Sequence, residues 1–308
     1  MSKVAIIGGA GRVGVSFAFH LLTENICHEL VLVDIDEEMV QGERLDLMHS
    51  TSSMCQTKIE ASTDYHDLEG SDIIVIPAGA RRKPDQSRLD LIKTNFGIVD
   101  EWMWKINRVA PNALVLIVVN PVDVLTYRAF MVGGQNRHRI FGLGNVMDVV
   151  RLRSNIAEFY DWDSTRVYAK LLGEHGDAMV PIYSQMSYAG YRLVDMPKVK
   201  MKDVKDIVAT TRKAGAEVIR LKQGAGWAVG VAITAVVRAV LLDEKRVLSC
   251  SSIPDGAFGV DGGVALSLPT IIGKDGVEGY LDVKFDDEEM DGIHKAAEVL
   301  KKTYEEIS

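Results

Sequence analysis

The sequence predicts an α/β protein: an N-terminal doubly wound parallel sheet followed by an α+β half. Three observations carry this. Near-continuous apolar runs at 4–7, 30–34, 73–77 and 114–119 have the composition of strands buried on both faces, as in a parallel sheet. Amphipathic stretches such as 13–23 and 37–48 alternate with those runs, the β-α alternation of a doubly wound sheet. After about residue 144 the alternation stops, and long helical patterns mix with short strands punctuated by glycine.

The first strand, 4–7, leads directly into a glycine-rich turn and the helical pattern of 13–23. The second, Leu30-Val31-Leu32-Val33-Asp34, ends on an acid. The third, 73–77, is followed by a basic loop, and the fourth, 114–119, by an Asn-Pro turn. In the second half 145–160 reads as a helix and 167–171 as a strand. Helical patterns over 204–222 and 227–242 follow, then strands at 246–251, 263–272 and 276–280. Aspartates open a closing helix from about 288 to 305, consistent with the preference for acids in a first turn. We divide the chain near Gly144 into residues 1–144 and 145–308. No Pro/Ser-rich linker marks the boundary, so intimate packing of the two lobes is expected.

Composition narrows the function. Apolar residues at 47% and charged residues at 25% suit a globular chain with a substantial core. The net charge of −8 argues against nucleic-acid and anionic-membrane partners, which favour a basic face. Cys27, Cys55 and Cys250 are far apart and form no metal-ligand spacing, so neither a disulfide framework nor a metal site is expected, and a reducing cytoplasm fits. The start runs almost at once into a strand, leaving no room for a signal peptide, and no apolar run is long enough to span a bilayer.

Gly9-Ala10-Gly11-Arg12-Val13-Gly14 matches GxGxxG, and Gly8 permits a second register, Gly8-x-x-Gly11-x-x-Gly14. The motif alone is weak, but its place between a strand and a helix is that of a Rossmann dinucleotide loop. Glycines there let backbone N–H groups approach a pyrophosphate at the helix N-terminus. Asp34, twenty residues after Gly14, is placed to accept hydrogen bonds from the ribose hydroxyls of NAD and to repel the 2′-phosphate of NADP. NAD is therefore the expected cofactor.

Residues 81–88 carry four cations, Arg81, Arg82, Lys83 and Arg88, beyond the end of the third strand, where such sheets hold their ligands. A solvated loop is the alternative reading of that charge. Here the chain resembles the lactate/malate dehydrogenase family, whose malate members carry a substrate loop of the form AGxxRKPG. The likeness extends along nearly the whole chain. It includes Asn95 and Ile98 in an NxxI pattern, Val118-Val119-Asn120-Pro121-Val122-Asp123, Asp148 and Arg151 in DxxR, and Gly173-Glu174-His175-Gly176-Asp177.

The resemblance implies a role for each position. His175 would be the general acid/base, an imidazole that titrates near neutrality and so can give and take the substrate proton. Asp148 would orient it, as carboxylates do in hydrolase triads. Arg151 would clamp the substrate's C1 carboxylate through paired hydrogen bonds, Arg88 polarise its carbonyl, and Asn120 add a hydrogen bond. Asn95 and Val118 would line the cofactor site with Gly8, Gly9, Ala10, Gly11, Arg12, Val13, Gly14 and Asp34. The C-terminal α+β half would be the catalytic and substrate domain.

In this family the position of Arg82 faces the substituent on C3, with arginine in malate enzymes and glutamine in lactate enzymes. Oxaloacetate brings a second carboxylate that would be costly to bury unpaired, whereas pyruvate would leave Arg82 without a counter-ion. A dicarboxylate substrate, malate/oxaloacetate, follows. The alternative is that Arg82 points to solvent and the substrate is lactate or another 2-hydroxy acid. Two further rivals are a non-catalytic NAD-binding sensor and an NAD-dependent glycosidase, whose metal-binding Cys/His pair this chain lacks. Asp85, where relatives usually have glycine, and Ala225, where many have a hydroxyl, depart from the pattern. The resemblance also implies a homo-oligomer, a tetramer in preference to a dimer. Trp102 and Trp104 suit either a core or an interface.

Overall fold

The computed structural model describes residues 2–80 and 88–307. Its N-terminal half contains β1 (Lys3–Ile7), β2 (Glu29–Val33), β3 (Lys58–Ser62), β4 (Ile73–Ile76), β5 (Leu114–Ile117) and β6 (Ile140–Gly142). They lie parallel in the order β3-β2-β1-β4-β5-β6. Helices α1 (Arg12–Glu24), α2 (Glu37–Thr51), α3 (Arg88–Val109) and α4 (Val122–Val132) connect them. This is a Rossmann doubly wound sheet. Its strand order reverses between β1 and β4, which opens a crevice at the strands' C-terminal ends.

Period-two geometry sends alternate side chains to opposite faces. Ala5, Ile7, Val31 and Val33 join a core on one side of the sheet, and Val4, Ile6, Leu30 and Leu32 join a core on the other. All eight are buried, which explains why the runs read as continuously apolar.

The C-terminal half comprises α5 (Val146–Tyr160), β7 (Val167–Tyr168), β8 (Leu171–Gly173), β9 (Met179–Pro181), β10 (Ser187–Tyr188), β11 (Tyr191–Arg192), α6 (Met201–Lys222), α7 (Trp227–Leu241), β12 (Arg246–Ser252), β13 (Leu266–Gly273), β14 (Gly276–Tyr280) and α8 (Asp287–Glu305). One sheet runs through both halves. β12 pairs antiparallel with β6 through Ser251 and Gly142, then β13, β8 and β9 follow, with β14 beside β13. Helices α1 and α7 also meet across the two halves, so closely that a Cβ at Gly230 would stand 2.5 Å from Ser16 Oγ. Helix α8 opens with a reciprocal cap, Asp286 accepting the Glu289 N–H and Glu289 accepting that of Asp286.

Local expectations needed correction in two places. The strand expected at 167–171 is two pieces: Val167–Tyr168 pairs with β10 in a separate small sheet, and Leu171–Gly173 belongs to the main one. Between them the Lys170 ammonium turns to the carbonyl of Val247 at 3.1 Å. The strand expected from 263 begins at Leu266. Among the described residues no helix is long and apolar enough to cross a membrane.

Candidate active site

The glycine loop turns from β1 into α1 on hydrogen bonds from the Gly8 and Gly9 N–H groups to the Val33 carbonyl, at 2.8 and 3.0 Å. Gly8 has φ +93°, and a Cβ on Gly14 would stand 2.3 Å from the Gly8 oxygen. Both positions therefore demand glycine. Gly11 caps α1 without any side-chain bond, so the first-turn N–H groups, those of Arg12, Val13 and Gly14, point out of the helix end toward an anion position. Asp34 Oδ2 accepts the Ala10 N–H at 2.9 Å and Oδ1 accepts the Ile35 N–H at 2.8 Å. Oδ1 also accepts the Asp36 N–H at 3.4 Å, whereas Oδ2 keeps a further lone pair for a ribose hydroxyl. These residues fit a dinucleotide.

The Arg12 side chain goes elsewhere. Its guanidinium donates to the carbonyls of Lys222 and Gly224, at 2.6 and 3.0 Å, and so holds the C-terminal end of α6. Nothing in the sequence pointed to this contact between residues some 210 positions apart.

At the opposite side of the crevice α5 presents Asp148 and Arg151 on one face. Asp148 Oδ2 lies 2.6 Å from His175 Nδ1, and Oδ1 accepts Arg151 at 3.0 Å. His175 stands in the turn between β8 and β9. Burial pushes the imidazole toward neutrality, but the hydrogen bond and charge of Asp148, with the charge of Asp123, outweigh it and raise its pKa above the ordinary value. Arg151 is largely buried, and its guanidinium lies against Gly215 of α6, where a Cβ would come within 3.4 Å. The spacing of 27 residues between Asp148 and His175 thus closes into direct contact.

Asn120 follows β5, its side-chain oxygen accepting the Val122 N–H at 3.3 Å. Asn95, on α3, is buried at 1% exposure. Its amide joins two loops, accepting the Ala80 N–H at 2.8 Å and donating to the Asn120 carbonyl at 2.9 Å. Val118 donates its N–H to the Ile76 carbonyl and stays half-buried at the crevice. Ala225 is half-buried beside the α1–α7 core. Of the tryptophans in question, Trp102 packs against the core and Trp104 is 55% exposed. Arg81, Arg82, Asp85 and the side chain of Arg88 lie outside the described residues; Arg88 begins α3.

Sequence reading passed over one residue that the structure brings to the site. Asp123, in the first turn of α4, is 2% exposed, and its Oδ2 accepts the backbone N–H of His175 at 2.7 Å. It belongs to the Asn120-Pro121-Val122-Asp123 segment, so the signal was its place in that motif.

Comparison with known proteins matches this architecture along its length. Residues 2–142 match the lactate/malate dehydrogenase NAD binding domain, and residues 146–308 the lactate/malate dehydrogenase alpha/beta C-terminal domain. An L-lactate dehydrogenase of Clostridium perfringens is 35% identical, over 97% of this chain and 95% of its own. A malate dehydrogenase of Chlorobium limicola is 36% identical, over 97% and 96%. The crystal structure of Cryptosporidium parvum malate dehydrogenase superposes with a TM-score of 0.93 at 30% identity, covering 99% of this chain and 98% of that one.

Proposed function

Because the chain belongs to the lactate/malate dehydrogenase family, we propose that it interconverts malate and oxaloacetate. It is an NAD-dependent oxidoreductase of that family. NAD, when bound, supplies the hydride donor or acceptor. On this reading Gly8 to Gly14 and Asp34 hold the dinucleotide, with Val118 as a wall and Asn95 acting indirectly by tying Ala80 to Asn120. His175 holds and moves the proton at Nε2, since Nδ1 is committed to Asp148. Asp148 fixes the tautomer and stabilises the imidazolium. Arg151 retains donors beyond the one given to Asp148, and these pair with the substrate's C1 carboxylate. Asn120 and Arg88 polarise the reacting carbonyl.

The choice of malate rests on a single observation, Arg82 six residues before Arg88. An arginine there pairs the second carboxylate of oxaloacetate and would stand unpaired opposite the methyl of pyruvate. The names of similar proteins favour the second reading, lactate, since they name L-lactate dehydrogenase more often than malate dehydrogenase. Rates with oxaloacetate and with pyruvate, NADH as reductant, decide between them in the wild type and Arg82→Gln. We expect the wild type to prefer oxaloacetate by about 100-fold or more, the worth of an ion pair of ~3 kcal/mol, and the variant to lose that preference. A wild type that prefers pyruvate, or a ratio unmoved by the substitution, overturns the malate reading.

The same reading divides the chain near Gly144 into an NAD-binding lobe and a catalytic lobe. The gap between the two matched domains, 142 to 146, supports that division.

A further inference from the structure

Asp123 is an expensive group to keep where it is. It is almost wholly buried, and Glu174, itself buried, adds a like charge nearby. A small void behind it, lined by Val124, Tyr127, Ala265, Leu300 and Tyr304, is too narrow to admit water. The N-terminal turn of α4, which favours a negative charge, and the His175 N–H offset part of the cost. The hydroxyl of Ser251 on β12 lies near the carboxylate, but Asp123 Oδ1 has no hydrogen-bond partner among the described residues. If its task were only to receive the His175 N–H, an amide oxygen would do it without a buried charge.

Asp148 cannot give His175 its full charge, because its other oxygen is shared with Arg151 at 3.0 Å, and Arg151 opposes protonation of the ring. A second carboxylate bonded to the histidine's own backbone restores the balance. We propose that Asp123 is a positioning residue for His175 whose negative charge, in addition to its hydrogen bond, sustains the protonated imidazole needed for ketoacid reduction. The proposal rests on the reading of His175 as the proton-transfer group. The groups that face this pair are Asp148 and Arg151 from α5, Glu174 from the same loop as His175, Ser251 from β12 and, across the void, Tyr304 from α8 and Tyr127 from α4. Burial works against the Asp123 carboxylate and holds its pKa up at about 6, so it is charged over the neutral and alkaline range.

The test is the pH dependence of NADH-driven ketoacid reduction in the wild type, Asp123→Asn, Ser251→Ala and His175→Asn. NADH binding is followed by fluorescence and the His175 ring titration by NMR. Asp123→Asn keeps the acceptor and removes the charge. We expect NADH binding within about two-fold of wild type, kcat about three-fold lower or more at pH 8, and the His175 titration and the alkaline limb of kcat/KM both moved down by about half a pH unit or more. Ser251→Ala leaves the charge but makes the carboxylate easier to protonate, so the acid limb should move up; this variant carries the test if Asp123→Asn does not fold. Unchanged profiles and titration in Asp123→Asn, or in Ser251→Ala where it carries the test, overturn the proposal. Undiminished turnover in His175→Asn would instead remove the proton-transfer reading on which it rests.

Discussion

Asp123 and Asp148 flank one histidine, yet only Asp148 was assigned from the sequence. Spacing along a helix reveals that Asp148 and Arg151 share a face, and a glycine-flanked histidine stands out among seven. Asp123 lies in the Asn120-Pro121-Val122-Asp123 motif, but that it turns back to a loop 52 residues away is a tertiary fact the motif alone does not reveal. The same holds for Arg12, whose position in the glycine motif concealed its hold on α6. Asp123 also has a consequence for stability. Its pKa is raised by burial, from the ordinary 3.8 to about 6. A raised carboxyl stabilises the fold fully below its unfolded value and loses that contribution as pH climbs through its folded value, here between about 4 and 6. At neutral pH the penalty is of the order of 3 kcal/mol. Asp123→Asn should therefore melt a few degrees above wild type at pH 7.5, with the gap closing below pH 4. Melting curves with equal midpoints at pH 7.5 would contradict this. A variant that is more stable but slower fits a residue retained for function.

Elements were legible where burial is symmetrical. β1, β2, β4 and β5 are buried on both faces and could be read directly from apolar runs. β3, with the sequence KIEAS, is an edge strand whose charges hid it, and β6 is three residues long. Helix α4 is apolar nearly all round and carries no amphipathic stripe to announce it. The register of the glycine loop, open in the sequence, becomes a matter of distances, with Gly14 held against the Gly8 oxygen. Gly14→Ala should weaken NADH binding about ten- to hundred-fold, the effect of 1–3 kcal/mol of strain at the turn. Gly97→Ala, on α3 with open space around its Cβ, should be neutral or stabilising by up to ~1 kcal/mol. Equal NADH affinity in wild type and Gly14→Ala would show that the turn relaxes without cost.

Across the whole molecule, the doubly wound half could be foreseen, whereas the continuity of its sheet with the second half could not, because it depends on one antiparallel pairing between β6 and β12. Helices α1, α2 and α7 lie together on one face. On α2 and α7 that face exposes Met39, Met48, Trp227 and Val231, more apolar surface than a solitary chain gains from presenting. We expect self-association, with Trp227→Glu weakening it. Sedimentation velocity should give a species of at least two chains, and a monomer at micromolar concentration would refute the expectation.

The β6–β12 pairing also puts the protein at risk during synthesis. Strands β1 to β5 complete their mutual pairing once residue 117 has emerged, but the outer edge of β6 waits for Ser251, 109 residues further on. At about 5–20 residues per second, a ribosome leaves that edge uncovered for on the order of ten seconds. A three-residue strand is a short invitation to a stray neighbour, so the brevity of β6 that hid it from view also protects the nascent chain.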